Sequence, residues 1–211
     1  MIGMASGARI VLPAEPLSDG ATVLRPWRES DIPRLVAICR DEEIMRWTRV
    51  PTAYGITAAR AWVDESRALV QDGISAPFAI ISSTDHELLG SISLVRFTWE
   101  HARGEVGYLL AREARGLGHA TRALRLICAW GFAALGLERI ELLAATGNGA
   151  SQRVAERAGF TREAVLRSYH MLHEAPFDMV AFGLLPGDVE SAGGRSGTGV
   201  RADSIGSSAD A

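Results

Sequence analysis

The spacing of apolar residues changes several times along this chain, and the changes mark out a mixed α/β order. Thr22–Arg25 is expected as a strand, and the recurrence of Ile32, Leu35, Val36 and Ile38/Cys39 at helical spacing predicts a helix capped by Ser30 or Asp31. A short helical turn is expected around Glu42–Trp47. A second helix should run from Thr57 to about Asp72, with Trp62, Ser66, Leu69 and Val70 on its inner side and Gly73 just past its end. Phe78–Ile81 and Leu88–Val95 flank the turn-like Thr84-Asp85-His86, which predicts an antiparallel hairpin, and Glu105–Leu110 adds a third meander strand. A helix to about Leu135, a strand at Arg139–Ala144, a helix opening at Ser151 and strands at Thr161–Arg167 and Met179–Leu185 complete the order.

Between the third meander strand and its helix stands Arg115-Gly116-Leu117-Gly118-His119-Ala120. Two glycines one residue apart let the backbone turn tightly and approach a ligand. The helix that follows offers unpaired amide N–H groups and the positive end of its dipole. This is an anion cradle, and it predicts a phosphorylated cofactor. A dinucleotide fold is the rival, since Glu138 lies about twenty residues beyond Gly118. Two features count against it: Thr121 stands where the third glycine belongs, and the glycines follow an antiparallel meander instead of opening a βαβ unit.

Arg115, Gly118 and Ala120 match the Arg/Gln-x-x-Gly-x-Gly/Ala motif of the GNAT N-acetyltransferases. Asn148-Gly149-Ala150-Ser151 and Ala158-Gly159-Phe160 follow in that family's order. Over roughly Thr22 to Leu185 the chain resembles this superfamily, and within it the RimJ/RimL-like branch, which acetylates protein N-termini and small amines. The resemblance implies a GNAT fold: a mostly antiparallel sheet of six to seven strands, splayed at its centre and flanked by about four helices. The strands at Glu105–Leu110 and Arg139–Ala144 should diverge and hold the pantetheine arm of acetyl-CoA.

The resemblance also implies roles for individual residues. Arg115, Gly116, Leu117, Gly118, His119, Ala120 and Thr121 would hold the pyrophosphate, with His119 contributing its backbone N–H and no catalysis. Backbone amides near Leu109 and Leu110 would face the thioester, and Asn148 would bond the pantetheine amides or hold the splayed strand end. Acetyl transfer needs a base for the amine, a donor for the oxyanion and a proton for the departing thiolate. Glu105 is the candidate base; its structural alternative is a surface carboxylate paired with Arg103 or Arg139. Relatives often carry a further Glu where Leu143 stands here, and a Tyr near the position of Ala155. Ser151 then becomes the candidate acid, or only a helix cap. Trp47, Tyr54, Trp99, Tyr169 and His170 are candidate walls of the acceptor site.

Composition narrows this little. The chain has 211 residues, 47% hydrophobic and 22% charged, with Lys plus Arg 22 against Asp plus Glu 25. That is ordinary for a globular protein and gives no general attraction to nucleic acid or to an anionic membrane. Cys39 and Cys128 both lie in helical apolar patterns, which fits buried reduced thiols and a cytoplasmic setting, with no metal centre and no acyl-enzyme. Residues 1–20 are expected to form a flexible leader, 21–186 the acetyltransferase domain, and 187–211 a disordered tail, since eleven of its twenty-five residues are Gly or Ser. The acceptor is expected to be a peptide N-terminal α-amine. A small amine (amino acid, polyamine or antibiotic) is the alternative, as is an acetyl-CoA-binding sensor without catalysis. Relatives are often dimers, so a homodimer is allowed.

Overall fold

The computed structural model describes residues 10–193. Eight strands form one sheet: β1 (Leu17–Ser18), β2 (Thr22–Arg25), β3 (Ala76–Ser82), β4 (Leu88–Thr98), β5 (Arg103–Leu110), β6 (Arg139–Ala145), β7 (Thr161–Leu172) and β8 (Ala175–Leu184). Their order across the sheet is β1-β2-β3-β4-β5-β6-β8-β7. Six helices are described: α1 (Ile32–Cys39), α2 (Glu42–Trp47), α3 (Ile56–Gln71), α4 (His119–Leu135), α5 (Gly149–Ala158) and α6 (Pro186–Gly193). The sheet therefore has one strand more than the upper expectation, the two-residue β1, and the helices exceed the expected four by the short α2 and α6.

Neighbouring strands are antiparallel at every junction but one. β5 and β6 run parallel, and they pair only at Arg103↔Arg139, Gly104↔Ile140 and Glu105↔Glu141. Beyond those residues β5 keeps to β4 as far as Leu110, and β6 keeps to β8 as far as Ala145. The two parallel strands thus diverge toward their C-terminal ends, as the resemblance implied. Near the far end of that meander Gly90 lies against β5, where an added Cβ would sit 2.1 Å from the Leu109 carbonyl oxygen.

Apolar residues of the sheet and helices close a single core in which Phe78, Phe182, Ile127 and Ile140 are fully buried. α1 buries Ile32, Leu35, Val36, Ile38 and Cys39, the stripe its spacing predicts. Its entry differs from expectation. Asp31 occupies the cap position without capping by its side chain; the carboxylate instead takes both terminal nitrogens of Arg25 at 2.7 and 2.8 Å and the Arg28 amide at 2.9 Å.

Three expected boundaries move. Ile10 is buried in the core and Leu17–Ser18 pairs with β2, so described order begins before Thr22. α6 occupies the first residues assigned to the tail. Residues 1–9 and 194–211, the remainder of leader and tail, lie outside the described residues. Finally β7 and β8 extend well beyond Arg167 and before Met179, joined at His173-Glu174, both with positive φ.

Candidate active site

β5 ends at Leu110, a short 3-10 turn follows, and the chain then bends through Gly116 (φ 79°) and Gly118 (φ 86°) into α4. Those left-handed conformations are what glycine adopts without a Cβ penalty. No side chain caps α4, and an added Cβ at Gly116 meets nothing within 4 Å. The first turn of α4 therefore keeps backbone donors open to an incoming anion. Leu117, between the glycines, is 66% exposed. These features fit a pyrophosphate held by backbone amides from Gly116 to Thr121.

Arg115, which the resemblance places among the residues that would hold the pyrophosphate, also has partners within the protein. Its guanidinium donates to the Leu110 carbonyl at 3.1 and 3.2 Å and to Asp41 at 2.9 Å. Asp41 in turn accepts the Glu43 and Ile44 amides at the start of α2. Burial works against the Asp41 charge, yet the Arg115 guanidinium and the Ile44 amide hold its carboxyl below the usual range. Arg115 thus staples the end of β5, the glycine turn and the head of α2 into one unit. The His119 side chain also has a structural partner: its Nδ1 lies 2.9 Å from the Thr22 hydroxyl, tying α4 to β2.

The gap between β5 and β6 opens toward the N-termini of both α4 and α5. Ala111 donates its amide to the Leu89 carbonyl of β4 at 2.8 Å. Strand alternation turns the Leu109 and Gly107 amides the same way, so the amides of Tyr108 and Leu110 are the ones that face the gap. Of the two residues expected there, Leu110 fits and Leu109 does not; Tyr108 takes its place.

Alternation also divides the side chains of β5. Glu105 and Gly107 share one face of the strand, and Tyr108 belongs to the other. The Glu105 side chain is 16% exposed and receives Arg96 Nη1 at 3.0 Å. Burial pushes its carboxyl above the usual range, against the pull of the Arg96 guanidinium. An added Cβ at Gly107 meets nothing within 4 Å, so open space lies next to the carboxylate on its own face. The partners foreseen for a merely structural Glu105, Arg103 and Arg139, are not the ones it takes. Arg139 bonds Glu141 and Glu163 instead.

Across the gap, the Tyr108 hydroxyl donates to Ser151 Oγ at 3.2 Å. Asn148 caps α5, its Oδ1 accepting the Ser151 amide at 3.0 Å. Ser151 is therefore neither the first residue of the helix nor its cap, and its hydroxyl is held by a tyrosine on the neighbouring strand. Burial keeps the Tyr108 phenol above its ordinary pKa. Sequence reasoning passed over Tyr108, having looked for a tyrosine only near Ala155; its place three residues after Glu105, hence on the opposite face, was the available signal.

The expected wall residues separate into groups. Trp47 packs on the β6–α5 turn, 3.1 Å from where a Cβ on Gly147 would stand, and makes an edge contact with Phe177 of β8 at 6.2 Å. Tyr169 stacks on His170, and His170 Nε2 lies 3.2 Å from Arg96 Nη1. His170 reaches the Glu105 cluster because β7 is long, and Tyr169 stands beside it. Trp99 stacks on Phe97 in the β4–β5 turn at 4.5 Å. Tyr54 packs against the core with its hydroxyl on the Cys39 thiol, which places it outside the gap. Both cysteines are buried free thiols; burial lifts Cys39 to about 11 and Cys128 higher still. A cavity of about 570 Å³ lined by Ile10, Trp27, Val70 and Pro77 holds none of the expected site residues. Among the described residues no helix is long and apolar enough to cross a membrane, and no group of three His, Cys, Asp or Glu is arranged to hold a metal ion.

Comparison with known proteins agrees with this geometry. The family model of the acetyltransferase (GNAT) domain matches residues 22–161. The uncharacterised N-acetyltransferase YoaA of Bacillus subtilis (strain 168) is 28% identical over 163 residues, 77% of this chain and 92% of that protein. Among solved structures, RimL, a ribosomal L7/L12 α-N-protein acetyltransferase in complex with coenzyme A, superposes with a TM-score of 0.73 at 21% identity, over 81% of this chain and 98% of that one. Spermidine N-acetyltransferase of Vibrio cholerae, in complex with CoA and spermine, gives 0.70 at 18%, over 82% of this chain and 99% of that one. At those identities the two structures establish the shared fold. The chain belongs to the GNAT acetyltransferase family and is an acetyl-CoA-dependent N-acetyltransferase.

The staple role of Arg115 has a measurable consequence. Arg115→Gln should weaken acetyl-CoA binding about tenfold by loosening the glycine turn, roughly the loss of one or two charge-assisted hydrogen bonds. The dependence of the dissociation constant on salt should stay that of the parent. A shallower salt dependence in isothermal titration would mean that the guanidinium itself meets the phosphates.

Proposed function

We propose that this acetyltransferase moves the acetyl group directly to the α-amine at a peptide or protein N-terminus, with Glu105 as base and Ser151 as hydrogen-bond donor to the departing sulfur. The observation that carries the reading is the interruption of β5–β6 pairing, with a buried carboxylate on one face of β5 and the Tyr108–Ser151 pair reached from the other. Bound acetyl-CoA supplies an activated thioester carbonyl. The chain's own residues supply the rest.

Amides of Tyr108 and Leu110, unpaired toward β6, are available to stabilise negative charge as it develops on the carbonyl oxygen. Glu105, its pKa raised by burial against the pull of Arg96, is a stronger base than an exposed carboxylate. The open space over Gly107 admits the amine beside it. Ser151, its Oγ already accepting from Tyr108, keeps its own hydrogen free to point into the gap. Approach of the amine and departure of the sulfur are thereby separated onto opposite faces. Lysine is the less favourable acceptor: an α-amine titrates near about 8 and a lysine near about 10.4, so neutralising lysine at pH 7 costs roughly 3 kcal/mol more. Neither buried thiol is placed to carry the acetyl group, which supports transfer in a ternary complex.

Two variants test the assignment. Glu105→Gln should lower kcat at least about a hundredfold. The acid limb of the parent kcat/KM profile, lost as pH falls through the raised pKa of Glu105, should lie above the ordinary carboxylate range and vanish in the variant. Because the folded pKa exceeds the unfolded one, this carboxyl contributes stability that is present below the unfolded pKa and lost as pH rises through the folded one. The melting temperature of Glu105→Gln at pH 7 should therefore not fall; a variant that melts lower and keeps the acid limb would remove Glu105 from the chemistry.

Tyr108→Phe should lower kcat about tenfold with the KM for acetyl-CoA little changed, in line with about 1 kcal/mol for one hydrogen bond. Combined with Ser151→Ala its effect should be less than additive. Full additivity would show that the two hydroxyls act separately.

A further inference from the structure

The acceptor side of Glu105 holds two arginines, Arg96 and Arg49, against the single carboxylate that pairs with Arg96. Arg96 sits in a bulge of β4 at φ 50°, a left-handed conformation that a non-glycine residue adopts only when its surroundings hold it there. One terminal nitrogen, Nη1, serves both Glu105 and His170. The rest of the guanidinium has no protein partner among the described residues, and the side chain is 42% exposed. Arg49, in the loop after α2, is exposed, and among the described residues it forms no hydrogen bond or ion pair. It lies near enough that its charge acts on both Glu105 and His170.

The neighbouring acids are otherwise engaged. Glu141, beside Glu105 in parallel register, accepts Arg139 Nε at 2.9 Å, and Glu163 takes the two terminal nitrogens of the same arginine. Asp178 accepts the Ser168 amide. His170 adds no negative charge and accepts the Arg96 hydrogen bond at Nε2, which requires a neutral ring. Of these acids, Glu105 is the one that bonds Arg96, although the charge of Glu141 also acts on it.

We infer that the acceptor carries a carboxylate within a few bonds of its reacting amine, received by the free edge of Arg96 and by Arg49. This deepens the N-terminal reading above and rests on it. A planar guanidinium with two nitrogens free matches a carboxylate in bidentate geometry. The same two cations disfavour an ammonium, so they help the amine to lose its proton and turn away polyamines, which bring further positive charge. The carboxylate can come from an acidic second residue or from the free C-terminus of a dipeptide; both present the same group at similar reach.

The test uses amidated tripeptides Ser-Asp-Ala, Ser-Asn-Ala and Ser-Lys-Ala, the dipeptide Ser-Ala with a free carboxylate against its amide, and spermidine. CoA release is followed with the full-length protein at about 50 mM and about 500 mM salt. The expected result is a kcat/KM at least about tenfold higher for a carboxylate-bearing acceptor than for its neutral match, carried mainly by KM and reduced at high salt. Which pair shows it identifies the source of the carboxylate. Arg49→Gln should bring the ratio toward one, and Arg49→Lys should keep most of it. Equal or better turnover of the neutral, lysine-bearing or polyamine acceptors would overturn the inference while leaving acetyl transfer intact, as would a ratio unmoved by Arg49→Gln. No CoA release with any of these amines would remove the N-terminal reading and this inference with it.

Discussion

Parallel pairing between β5 and β6 stops after three residue pairs, and the chemistry proposed for this protein depends on that interruption. An unpaired stretch of sheet edge is a cost in an ordinary fold, because backbone N–H and C=O groups go without partners. Here the amides of Tyr108 and Leu110 are left facing the gap, where an extended ligand with its own amide groups can complete the ladder. The Leu110 carbonyl does not wait for one, since Arg115 already bonds it.

What keeps the strands apart is distributed over both ends of the gap. At the closed end Glu105 and Glu141 lie side by side, each drawn to a different arginine, Arg96 and Arg139. At the open end two helices begin, α4 after the glycine turn and α5 after the Asn148 cap, and Tyr108 bonds across to α5. The Arg115–Asp41 pair then joins the glycine turn to α2, which carries Trp47 over the β6–α5 turn. Parts that would meet acetyl-CoA and parts that would meet the acceptor are thus linked through one ion pair and one strand.

The sequence made much of this legible, and the limits have physical causes. Helical stripes such as Ile32, Leu35 and Val36, and the run from His119 to Leu135, were readable because one face of each is buried. The glycine turn was readable because only glycine adopts that backbone freely. The long β7–β8 hairpin was not. Its outer half lies beyond the core, so Arg167–Tyr169 bulges with mixed polarity, and its turn uses His173-Glu174 where a Gly or Asn would have signalled positive φ. That hairpin carries His170 to Arg96, with Tyr169 stacked on it; both residues were expected as walls, but their route to Glu105 was hidden until the strand was seen to continue. The roles of Arg115 and Tyr108 were hidden for another reason: their partners, Asp41 and Ser151, are distant in sequence, and no local pattern encodes such a pair.

The account stands most directly on the claim that acetyl-CoA lies between β5 and β6 with its phosphates on the α4 turn. Amide hydrogen exchange, followed residue by residue with and without acetyl-CoA, tests it. The account predicts slowed exchange at Tyr108, at Leu110 and through Gly116–Thr121, while the amides of Gly107 and Leu109, already bonded to β4, change little. Protection confined to other surfaces, with Tyr108 and Leu110 exchanging as fast as in the free protein, would contradict it.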